Sequence, residues 1–209
     1  MDRKKNGVTG QDNPIQCYKV LQDLGDRYTS VGDYAQAQQC YGKAASLGPD
    51  ESSPYVGLGV VALQKNLLDD AEIAFKVACR LDADCSKAYA GLAMVAQERA
   101  DYEKAFEMYL KCMELDTDNL AALLGLFQTS CQMGSFAKVI HYLELYLSMH
   151  PHDSSVKFSL AALYVKEGRF EQSRKILLDI LTLDSGNKDA ANLLEEVDRS
   201  LARTKQAGV

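Results

Sequence analysis

The sequence predicts an all-α fold built as a row of antiparallel helix pairs, and three observations predict it. First, residue types recur at an interval of 34: steps of 34 from Tyr34 meet Leu68, Tyr102, Phe136 and Phe170, and from Tyr41 they meet Phe75, Tyr109, Leu143 and Leu177. Second, a leucine stands at Leu24, Leu58, Leu92, Leu126 and Leu160, followed by Gly25, Gly59, Ala93, Phe127 and Ala161. Third, Gly32-Asp33, Asn66, Gly134-Ser135 and Gly168-Arg169 punctuate the middle of four of the five periods. Glycine takes the left-handed conformation that closes a helix, and an aspartate after it accepts backbone N–H bonds to open the next one. A period of this length is a helix–turn–helix unit that buries its apolar face only against neighbouring units.

Taken in order, residues 1–14 are polar and broken by Gly7, Gly10 and Asn13-Pro14, which predicts a flexible arm. The first repeat, about 18–51, opens with Leu21, Leu24, Gly25 and Tyr28, one apolar helix face. Further repeats follow at about 52–85, 86–119, 120–153 and 154–187. Pro49 and Pro151 end the second helices of repeats one and four, because proline denies helical angles to the residue before it. The other exits carry Ala83, Thr117 and Ser185 instead and rely on Asp82, Asp116 and Asp184. Two departures stand out. Ala100 occupies the helix-stopping position of repeat three, which predicts a strained turn or a longer helix. Phe127 replaces a small residue and should push its helix pair apart unless Ser130 frees the volume. Residues 188–204 form one amphipathic helix with Ala190, Leu194, Val197 and Leu201 on its apolar side, fitting a cap over the face built from Leu177, Ile180 and Leu183. Residues 205–209 are read as a flexible tail.

The order leucine, small residue, aromatic, then Ala-x3-aromatic and proline at this period resembles the tetratricopeptide family over about 18–187. That resemblance implies a right-handed superhelical solenoid, with the first helix of each pair lining a concave ligand-binding surface. Catalysis is not implied. No phosphate-binding glycine loop, nucleophile elbow or H-E-x-x-H zinc motif occurs, and neither an enzyme nor a cofactor is expected.

Composition narrows the partners. Lys and Arg number 23 against 29 Asp and Glu, a net charge of -6, which offers no basic field for phosphates and excludes nucleic acid as an expected partner. No apolar run of signal-peptide or membrane-spanning length occurs, so membrane insertion is not expected and the cytoplasm is the expected location. The six cysteines match no zinc spacing and contain no C-x-x-C pair; they read as structural thiols, and no metal site is expected.

The positions that the resemblance places on the concave surface carry the functional expectation. Fifth and ninth positions read Gln22 and Asp26, Val56 and Val60, Ala90 and Met94, Leu124 and Gln128, Phe158 and Ala162. Lys87 sits at a second position, Leu63 at a twelfth, and Gly57, Gly91 and Gly125 at successive sixth positions. The mostly apolar strip predicts a groove for an apolar segment of another protein. The alternatives are self-association through the groove or the ends of the array, or burial of the strip by curvature. Glycine on a helix surface costs about 1 kcal/mol against alanine, so the three glycines mark either a closely approaching partner or crowding between neighbouring helices. The family's clamp for C-terminal carboxylates needs Lys and Asn, then Asn, then Lys and Arg, where this chain has Gln22, Asp26, Gly57, Lys87 and Gly91. Only Lys87 fits, so a chaperone-tail ligand is not expected.

Overall fold

The computed structural model describes residues 14–207, and among them it forms eleven α-helices and no strand. They are α1 (Pro14–Ser30), α2 (Tyr34–Leu47), α3 (Ser53–Gln64), α4 (Leu68–Leu81), α5 (Ser86–Glu98), α6 (Tyr102–Leu115), α7 (Leu120–Met133), α8 (Ala137–Met149), α9 (Ser154–Lys166), α10 (Phe170–Leu183) and α11 (Lys188–Ala207). The expected N-terminal arm lies outside the described residues except for Pro14, which is the first residue of α1. At the other end α11 continues to Ala207, past the 204 at which the sequence pattern weakens. The chain divides into two compact units, 1–95 and 96–209.

The same device closes α1, α3, α5, α7 and α9. Gly32, Asn66, Ala100, Gly134 and Gly168 all have positive φ, at the 34-residue spacing of the sequence pattern. In each case the N–H of the following residue reaches back five residues: Asp33 to Tyr28 O (2.9 Å), Leu67 to Ala62 O (2.9 Å), Asp101 to Ala96 O (2.9 Å), Ser135 to Ser130 O (3.3 Å) and Arg169 to Tyr164 O (2.7 Å). These bonds satisfy carbonyls that the helix end leaves without a donor. Ala100 takes the strained option: α5 stops at Glu98, and Ala100 itself is left-handed at φ 59°. Asp33 and Asp101 cap the next helices through Gln36 N (3.1 Å) and Lys104 N (3.2 Å). Ser135 does not cap; α8 starts only at Ala137, with no side-chain cap. At the exits lacking proline, Asp82, Asp116 and Asp184 each accept a bond from the N–H two residues on, folding a tight turn.

In the first unit Ala37, Tyr41 and Val61 form a core with Tyr28, Tyr34 and Leu58 around it, and Ala71, Phe75 and Ala78 are buried along α4. In the second unit α7 and α8 pack less closely than α9 and α10. Phe127 is half-buried on α7, and Ser130 is fully buried with its hydroxyl donating to Phe127 O (2.7 Å). At the C-terminal end Ala190 and Val197 of α11 are buried against Ala161, Leu177 and Ile180, with Leu194 and Leu201 packed alongside. Leu183 departs from expectation: it is 58% exposed and takes no part in that cluster. Arg174 of α10 also holds Asp198 of α11 at 2.7 Å.

Candidate functional site

In the first unit the residues expected to line a groove assemble only in part. A pocket of about 520 Å³ is lined by Gln22, Asp26, Thr29 and Ser30 of α1, Tyr41 of α2, Ser53, Val56, Gly57 and Val60 of α3, and Cys85 and Lys87 at the start of α5. Val56, Gly57, Val60 and Lys87 are thereby brought together. Met94 is exposed at 37% but does not line this pocket, and Ala90 and Gly91 are buried. Leu63 is half-buried.

The glycines have a physical reason inside the chain. A Cβ on Gly25 of α1 would lie 2.5 Å from the Tyr41 ring, and one on Gly57 of α3 would lie 2.4 Å from it. Phe75 is held the same way, between Gly59 and Gly91. An aromatic side chain from the second helix of a pair is therefore wedged between two successive first helices, and glycine makes the space. Gly125 of the second unit meets the ring of Tyr109 in the same fashion. Of the two readings left open by the sequence, crowding between neighbouring helices accounts for all three.

The wedge carries a hydroxyl to the pocket. Tyr41 Oη donates to Asp26 Oδ1 (2.7 Å) and lies 3.1 Å from Thr29 Oγ1, while Thr29 Oγ1 donates to Gly25 O (2.9 Å). Burial, ahead of the nearby Asp26 charge, pushes the Tyr41 phenol well above its usual range, which keeps it a proton donor. Gln22 Nε2 donates to the same Asp26 oxygen (3.3 Å), and Gln22 Oε1 is covered without a hydrogen-bond partner. Asp26, Gln22 and the Tyr41 hydroxyl form one hydrogen-bonded group in the site, whose other polar lining residues are Thr29, Ser30, Ser53, Cys85 and Lys87. The positions of Asp26 and Gln22 on the α1 face could be read from the period, but the Tyr41 bond depends on a ring crossing between helices, which the sequence does not display.

In the second unit Leu124 is 40% exposed and Gln128 is exposed, its Oε1 accepting from Gln97 Nε2 (3.1 Å). Gln97 Oε1 in turn accepts from the Tyr109 hydroxyl (2.9 Å), whose pKa burial pushes up to about 12. Phe158 and Val165 are half-buried and pack on the cluster of Leu177, Ile180 and Val197, so Phe158 is partly committed to the interior; Ala162 is half-buried as well. All six cysteines are free thiols, and among the described residues no group of His, Cys, Asp or Glu is arranged to hold a metal ion.

Sequence profiles described as tetratricopeptide repeat match residues 23–84, 86–119 and 130–197, most of the chain. The chain belongs to the tetratricopeptide-repeat family. Among solved structures it is similar to PilF of Pseudomonas aeruginosa, at 19% identity and a TM-score of 0.68, covering 94% of this chain and 99% of that one. It also resembles MamA, at 22% identity and a TM-score of 0.63, covering 80% of this chain and 91% of that one. A third relative in fold is YrrB, described as a tetratricopeptide protein with an unusual peptide-binding site, at 16% identity, a TM-score of 0.62, and coverage of 82% of this chain and 89% of that one. At these identities the likeness is one of fold. No curated protein matches. Among the described residues no helix is long and apolar enough to cross a membrane.

Proposed function

We propose that this protein is a non-enzymatic scaffold of five repeats closed by α11, and that it holds a segment of another protein against the α1–α3–α5 face of its first unit. The observation that carries this reading is the pocket in which Val56 and Val60 stand half-exposed beside the Asp26–Tyr41–Gln22 group. Aliphatic side chains there gain by being covered, and the adjoining polar group can fix the orientation of what covers them. The peptide-binding description of YrrB lends the fold-level support. Met94 belongs to the same proposal as an exposed position on α5, and Leu124 and Gln128 are exposed positions of the second unit by itself, while Ala90, Gly91, Gly125 and Phe158 serve mainly the interior of their own units.

Val60→Asp tests it. The charge lands at a half-exposed position, so the variant should keep its circular dichroism and melting temperature and lose binding of peptides selected on the parent protein. An unfolded variant would show instead that Val60 is core. Light scattering across concentration provides the comparison with self-association: a mass that rises with concentration in the parent and not in the variant would assign the face to a second copy of this chain.

A further inference from the structure

The hydrogen-bond inventory on the α1 side of the pocket is one-sided. The Thr29 hydroxyl hydrogen goes to Gly25 O, the Tyr41 hydroxyl hydrogen goes to Asp26 Oδ1, and Gln22 Nε2 also donates to Asp26 Oδ1. With those hydrogens engaged, the wall offers an arriving group mainly acceptors, the exposed Asp26 carboxylate and the Tyr41 and Thr29 oxygen lone pairs, against the one remaining N–H of Gln22. Gln22 Oε1 is covered and, among the described residues, accepts no hydrogen bond. Asp26 is itself exposed, and Asp23, one turn earlier on α1, adds a second exposed carboxylate. Lys87 lines the pocket from α5 and, among the described residues, makes no ion pair with Asp26.

We infer that the segment bound here is cationic at one position: an aliphatic residue covers Val56 and Val60, and a lysine or arginine beside it seats its charged head on Asp26. An ammonium or guanidinium group carries several donors and no acceptor, the complement of this wall, and a charge-assisted bond to a carboxylate is among the stronger polar contacts available. A carboxylate placed at this wall would be repelled by Asp26 and would find its counter-charge at Lys87 instead. This inference rests on the groove reading above and adds the chemistry of the ligand.

The test uses the full chain and a random-peptide phage library, followed by fluorescence anisotropy with a synthetic peptide of the enriched sequence. Enriched peptides should pair Lys or Arg with an aliphatic neighbour. Asp26→Asn, which keeps an oxygen for the Tyr41 hydroxyl, should weaken the peptide about tenfold, and the same peptide with its basic residue changed to norleucine should be insensitive to that substitution. Asp26→Lys should prefer the peptide whose basic residue is changed to Glu. Enriched acidic sequences, or a basic peptide indifferent to Asp26→Asn, would overturn the cationic inference while leaving the groove in place if Val60→Asp still abolishes binding. Peptides indifferent to both substitutions, or no enrichment at all, would overturn both. Circular dichroism melts of each variant separate loss of binding from loss of fold, and free butylamine or spermidine competing as well as the peptide would overturn the assignment to a protein segment.

Discussion

Ala100 holds a backbone conformation that costs an L-residue about 1–2 kcal/mol, of which glycine would return about half after its own loss of freedom on folding. Ala100→Gly should therefore stabilise the protein by about 0.5–1 kcal/mol, read as a higher urea midpoint at unchanged slope. Gly91→Ala should act in the opposite direction. Helix propensity favours the alanine by about 1 kcal/mol, but its methyl group would overlap the Phe75 ring, and overpacking costs about 1–3 kcal/mol. Net destabilisation is the expected result; a melting temperature above the parent's would mean that the ring moves aside freely. The two residues also show how far the sequence could be read. Ala100 breaks a spacing that only glycine and asparagine otherwise keep, so its strain could be anticipated from the period. The role of Gly91 could not, because the ring that needs the space comes from another helix, sixteen positions earlier at Phe75.

Among the elements, α8 and α11 make opposite predictions. Helix α8 fits α7 more loosely than α10 fits α9. Its amides should exchange with deuterium faster than those of α10, measured by mass spectrometry of the intact protein's peptides. Helix α11 is held firmly: Ala190 and Val197 are fully buried against Leu177 and Ile180. Deleting residues 188–209 would expose those two aliphatics, each contributing about 1.5–3 kcal/mol when buried. The truncated protein should melt earlier or aggregate. The amphipathic pattern of α11 was legible because a single helix displays its own periodicity. The exposure of Leu183 was not, since it depends on which side of the last turn of α10 meets α11: Ile180 and Leu181 pack in the cluster and Leu183 does not.

For the molecule as a whole, the buried phenols set an alkaline limit. Burial raises the pKa of Tyr109 to about 12, and burial together with the Glu144 carboxylate raises that of Tyr164 to about 12, against 10 for a free phenol. The folded state favours the neutral form, so this contribution is complete below pH 10 and is lost as the pH climbs from about 10 toward 12. The melting temperature should stay level up to about pH 10 and then fall, and Tyr109→Phe should reduce the fall. Ultraviolet titration of the phenolate band checks the order, with exposed tyrosines ionising before the buried ones.

The aromatic wedges have a consequence for how the first unit assembles. The Tyr41 ring needs Gly25 on one side and Gly57 on the other, and the Phe75 ring needs Gly59 and Gly91. Half of each socket thus belongs to the next helix pair along the chain, so no pair completes its interior alone. In a linear array, interfaces of this kind act as nearest-neighbour couplings: an isolated pair gains little, and each added pair pins the one before it. The transition from unfolded to folded in this unit should therefore be concerted. Splitting α2 from α3 would leave two fragments that each carry an unfinished socket and regain structure only when mixed.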